Sequence, residues 1–234
     1  MEAINTSENG HNPVELVSPD RVRANPRINA LIRVADDQLG VQGYTEHGMR
    51  HANLVSHISE NILRRLGHAE RVAELAAIAG YIHDIGNVVN RVDHASAGGV
   101  LALTLLLEEG MEASEAGVVA GAVGNHEERV GEPVSPVAAA VIIADKSDVH
   151  RTRVRNANPV TFDIHDRVNF ASQHSFVRVD TDKRQIALDL SIDTDRASVV
   201  DYFEIFLTRM LFIRKSASFL GCEFQLLINK HRML

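Results

Sequence analysis

The sequence predicts a mainly α protein, a helical bundle followed by a small antiparallel β-β-α-β unit. Three observations carry that expectation. Apolar residues recur at spacings of three and four from Pro26 onward, the period of an α-helix with one buried face. Two segments, LAAIAGYI and AAAVIIA, are apolar on nearly all sides, as helices inside a bundle must be. After about residue 173 the period changes to two, in HSFVRVD and RQIALDLSID, which marks half-buried strands. The chain therefore divides into a mobile leader (1–20), a helical domain (21–172) and a small α+β unit (173–234).

The elements run in order along the chain. Residues 1–20 are polar and rich in Asn, Ser and Glu, with no basic stretch leading into an apolar core, so they read as a leader and not as a signal peptide. Ile28, Leu31, Ile32 and Ala35 form the stripe of a first helix that stops near Gly40. Thr45 is the expected cap of a second, which runs to Leu66 and ends at Gly67. A third spans about 69–85, shorter ones lie near 95–109 and 113–126, and a sixth starts at Pro136, a residue suited to a first helical turn. In the C-terminal unit a hairpin turns at DTDK, a long helix spans about 196–219, and EFQLLIN is the last strand. Edge strands in this unit could pair across a homodimer interface.

Composition limits the chemistry. A net charge of -7 removes the electrostatic footprint of an extended nucleic-acid binder. Cys222 is the only cysteine, so no disulfide can form within the chain, and any metal must be held by nitrogen and oxygen. No apolar run reaches the length of a membrane span. A cytoplasmic location is the expectation.

The chemistry-bearing residues stand at helix ends. His51 lies on the second helix, and His83 and Asp84 lie near the end of the buried third. His94 comes after that helix, His126 ends the fifth, and Asp145 comes after the apolar run of the sixth. An ionised carboxylate placed after Val141, Ile142, Ile143 and Ala144 needs a partner, because burying it alone costs several kcal/mol or more. A metal is one such partner, and Lys146 or a nearby arginine is the plainer one. Imidazoles mixed with carboxylates suit iron, manganese, zinc, nickel or magnesium, as one or two divalent ions. His57, His68, His150 and His165 read as solvated or core histidines, and Glu127 and Glu128 as solvent-facing, with one of them open to a place behind a metal ligand.

The ordered set HANLV with His51, HDIG with His83 and Asp84, and IIADKSD with Asp145 resembles the H…HD…D signature of the HD superfamily. The resemblance covers roughly 44–156. It implies an HD-type all-α bundle and metal-dependent hydrolysis of a phosphomonoester or phosphodiester, commonly in a nucleotide, by metal-activated water. It implies that His51, His83, Asp84 and Asp145 hold a first ion. His94 and His126 stand where a second ion is bound in two-metal members, with Asp84 shared between the two and orienting the water. Asn125 and Asn87 depart from the pattern of the cyclic-dinucleotide phosphodiesterase branch. The expected phosphate-contacting residues are Lys146, which is also expected in a catalytic role, and Arg151, with Arg91, Arg153 and Arg155 as weaker candidates; His47, one helical turn before His51, is expected to touch substrate or support a ligand, with a place as a further ligand as the alternative. Two other functions fit the same scaffold: an HD-type di-iron oxygenase, and a non-catalytic nucleotide-binding regulatory module.

Overall fold

The computed structural model describes residues 16–233. The expected leader lies outside the described residues up to residue 15. Its last five residues are structured: Val17 is fully buried and Pro19 opens a helix, α1 (Pro19–Ala24). Ser18 caps it by accepting from the Arg21 amide, and Asn25 both ends it and caps α2 (Pro26–Val41). Two caps, each with a proline directly after it, explain this tight helix–helix corner.

The bundle continues with α3 (Met49–Arg65), α4 (Glu70–Ile82), α5 (His94–Glu108), α6 (Ala113–Gly124) and α7 (Pro136–Ser147). Thr45 is not the cap of α3. That helix starts after Gly48, whose amide donates to the Glu46 side chain at 2.8 Å, while the Thr45 carbonyl accepts from the His47 ring. α4 ends before residue 85, because Asp84 leaves helical geometry and the chain tightens into a 3-10 turn over Ile85–Val88. α4 and α7 form the centre. Each packs against α3 and α6, and every residue of α7 from Val137 to Ser147 is buried. Two glycines permit close approach of elements that carry histidines. A Cβ on Gly80 would stand 3.0 Å from the Ser56 backbone of α3, and one on Gly86 would stand 2.0 Å from the His94 carbonyl.

A short helix not expected from the sequence, α8 (Ile164–Ala171), leads into the C-terminal unit. There β1 (Ser172–Asp180) pairs antiparallel with β2 (Gln185–Ile192), and α9 (Val199–Phe219) then crosses to β3 (Glu223–Ile228). The sheet order is β1-β2-β3-β4, with β4 at His231–Arg232. The expected all-antiparallel sheet needs correction: β2 and β3 run parallel. A strand–helix–strand crossover returns the chain in its original direction, so the second strand lies parallel to the first. α9 packs on α7, and one contiguous buried cluster runs from Val17 through the bundle to Ile228. No helix among the described residues is long and apolar enough to cross a membrane.

Candidate metal centre

Six side chains expected at the site converge. His51 comes from α3, His83 and Asp84 from the end of α4, His94 from the first turn of α5, His126 from just after α6, and Asp145 from α7. The four histidines are buried, as is Asp145. They fall into two groups around Asp84. Its Oδ2 lies 3.3 Å from His83 Nε2 and 3.7 Å from His51 Nε2. Its Oδ1 lies 3.4 Å from His94 Nε2 and 3.7 Å from His126 Nε2. Asp145 joins the first group, with Oδ1 at 3.3 Å from His51 Nε2 and 3.6 Å from His83 Nε2.

The orientation of each ring is set by what its Nδ1 touches. In His83, His94 and His126 it donates to a carbonyl three residues earlier: Gly80 at 2.8 Å, Arg91 at 3.0 Å and Val123 at 2.6 Å. In His51 it donates to Asp148 Oδ2 at 2.7 Å. Carbonyls and carboxylates only accept, so Nδ1 carries the proton in all four rings. Nε2 is then the atom turned to the centre, the arrangement common to metal-binding imidazoles.

These residues fit a divalent ion on three grounds. The Nε2 atoms of His51 and His83 stand 3.2 Å apart, and those of His94 and His126 3.1 Å apart. Ligand atoms about 2.1 Å from one ion, at angles near those of a tetrahedron or octahedron, stand about 3.0–3.4 Å from each other. Asp84 Oδ2 is buried and has no hydrogen-bond partner, a costly condition unless a cation meets it. Among the described residues, His51, His83 and Asp145 form one group able to hold a metal, and His83, Asp84 and His126 another.

The electrostatics show what the cluster does with its charge. Burial disfavours protonation of His83, yet Asp84 and Asp145 outweigh it and push the imidazole up to about 10. Burial works against ionisation of Asp84 and Asp145 as well, but their cationic and imidazole neighbours hold both well below the usual carboxylate range. Burial dominates at His94 and lowers it to about 4. The two carboxylates thus demand a cation between them, and a proton on His83 can supply it.

The remaining expected residues divide. Arg91 reaches the second group: its Nη1 stands 3.4 Å from His94 Nε2 and 3.9 Å from Asp84 Oδ1, with the guanidinium over the Tyr44 ring. The ring of His47 packs edge-on against His51. Lys146, expected to meet substrate, is buried between Asp145 Oδ2 at 2.8 Å and Glu128 Oε2 at 2.7 Å, so its charge is already taken up. Arg151 lies over the Phe170 ring of α8, and none of its described contacts reaches the cluster.

Sequence reasoning missed Asp148, and of the two places open to Glu128 the structure takes the one behind a candidate ligand, through Lys146 to Asp145. Asp148 is buried, held by Arg50 Nη2 at 2.8 Å and by Arg153, and turned onto His51. Its signal was available: it stands three positions after Asp145, beyond the same buried helix, where an acid needs partners for the same reason. Glu128 does not face solvent. Burial would raise it, but Lys146 and Arg209 bring it down to about 2. A groove of about 910 Å³ between α3 and the sheet, lined by residues such as Ile58, Arg65, Phe176 and Arg178, is far larger than the cleft beside His83 and Asp84. No member of the cluster lines that groove, so size alone does not locate the chemistry.

The family model of the HD domain matches residues 48–149. No protein of curated function matches the chain. The crystal structure of a predicted HD superfamily hydrolase from an uncultured Thermotogales bacterium is 26% identical over 53% of this chain and 67% of that one, with a TM-score of 0.43. All six converging residues lie within the stretch of residues 48–149 that the HD-domain model matches.

Proposed function

We propose that this protein is a metal-dependent phosphohydrolase whose substrate is a small phosphate ester, with a nucleotide as the favoured class. One observation carries the reading. The two oxygens of Asp84 face two separate imidazole pairs, so a single carboxylate can serve two cations. His51, His83, Asp84 and Asp145 would hold one ion, and His94, His126 and Asp84 a second. Bound divalent ions lower the pKa of water and offset charge on phosphoryl oxygens.

The chain's own groups do the rest. The Nδ1 bonds keep every imidazole in the tautomer that offers Nε2. Lys146 holds Asp145 Oδ2, leaving Oδ1 to the centre. Arg91, adjoining the second group with its guanidinium stacked on Tyr44, is the cation placed to receive a phosphate by paired N–H donors. The buried floor excludes water, which strengthens each of these interactions.

The test combines elemental analysis of the purified protein with a screen of nucleotides, cyclic dinucleotides and simple phosphoesters. Metal should be present and phosphate release detectable. Asp84→Ala should abolish both. Full activity in that variant, or oxygen consumption in place of phosphate release, would overturn the assignment.

A further inference from the structure

The metal centre is tied to the C-terminal helix by a continuous chain of ion pairs. Asp145 offers Oδ1 to His51 and His83, and its other oxygen is held by Lys146 Nζ at 2.8 Å. The terminal torsion of an aspartate is broad, so this contact restricts the plane in which the carboxylate meets the centre. Lys146 is fixed from its far side by Glu128 Oε2 at 2.7 Å. Glu128 lies two residues after His126, and its Oε1 accepts from Arg209 Nε of α9 at 3.4 Å. The Arg209 guanidinium lies 4.7 Å over the ring of Phe206, which is fully buried in the shared core. One end of the relay is therefore anchored in the C-terminal unit. A second tie runs from Lys215 of α9 to Glu132, farther along the segment that carries His126.

We propose that Arg209 is a positioning residue of the metal centre, acting through Glu128 and Lys146 on Asp145, so that the C-terminal unit is part of the site and not an appendage to it. This rests on the metal-centre reading above. The assignment separates cleanly from long-range electrostatics. Deleting a positive charge near a cation site should tighten cation binding if charge alone matters. Deleting a positioning residue should weaken it, because Glu128 is released, Lys146 loses its far partner, and Asp145 loses its fixed orientation.

The test is Mn²⁺ binding by the full-length protein, read by electron paramagnetic resonance, with folding checked by near-ultraviolet circular dichroism. Arg209→Met and Glu128→Gln should each weaken Mn²⁺ binding about tenfold, the lower end of what partners of metal ligands contribute. The double variant should bind no worse than Glu128→Gln alone, because residues acting in series are not additive. Arg209→Lys keeps the charge but not the planar stack on Phe206, and should lose affinity by a few fold. It supplies the reading if Arg209→Met does not fold. Wild-type or tighter binding in the folded Arg209 variant, or losses in the double variant that multiply, would overturn the proposal. Asp84→Ala serves as the reference. If it still binds Mn²⁺ the metal-centre reading itself is wrong, whereas loss there with no loss at Arg209 sinks only this inference.

Discussion

Asp148 shows how much of a site is decided by residues that never touch the centre. Its carboxylate fixes the His51 tautomer and is in turn held by two arginines. Asp148→Asn should weaken metal affinity about 10–100-fold, measurable by competition with a chelating dye. The histidines also set the pH response of the metal-free protein. His94 is lowered to about 4, so between there and the ordinary value near 6.5 the unfolded chain binds a proton that the folded one refuses, and stability rises with pH. His83 is raised to about 10, so above 6.5 the folded chain holds a proton that the unfolded one has lost, and stability falls. His47, also lowered by burial, acts in the same direction as His94, so thermal melts of the metal-free protein should peak near neutral pH and lose about 1 kcal/mol per pH unit on the alkaline flank and more on the acid one. A flat profile from pH 5 to 8 would contradict this account. The six converging residues were legible in the sequence because metal-ligand types recur at helix ends, three of them (His83, Asp84 and Asp145) beside runs too apolar to lie at a surface. Lys146 was legible as a partner of Asp145, but sequence adjacency does not reveal that Glu128 comes in from another segment to meet it from the far side.

Among the elements, the join between the α4 end and α5 controls the second imidazole pair. A Cβ on Gly86 would meet backbone atoms, the His94 carbonyl at 2.0 Å and the Gly98 amide nitrogen at 2.4 Å, and backbone cannot move aside as a flexible side chain can. Gly86→Ala should cost about 3 kcal/mol in denaturant melts. The long bundle helices were legible because their stripes are strong and their stops explicit, such as Gly67, which stands at positive φ. α8 was not, since IHDRVNFA is short and half polar, and an aspartate such as its cap, Asp163, is as common in turns as at helix starts. The β2–β3 direction was also beyond the sequence. Alternation reports which face of a strand is buried and says nothing of which neighbour it pairs with, parallel or antiparallel.

The molecule as a whole buries one core, and Phe206 and Tyr202 of α9 lie in it beside the bundle residues. A boundary at residue 172 therefore divides secondary-structure style and not packing. Phe206→Ala should cost about 3–5 kcal/mol and shift one cooperative transition, with calorimetric and van't Hoff enthalpies still equal. Two separate transitions would show that the halves fold apart. The Nδ1 contacts bear on how such a centre matures. Three of the four rings take their alignment from a peptide oxygen on their own stretch of chain, so they are competent as soon as that stretch has coiled. His51 is different, because its guide is 97 residues away. It is the ligand that must wait for chain closure, and a nascent polypeptide that has not yet delivered Asp148 holds a half-assembled cage with one undirected ring.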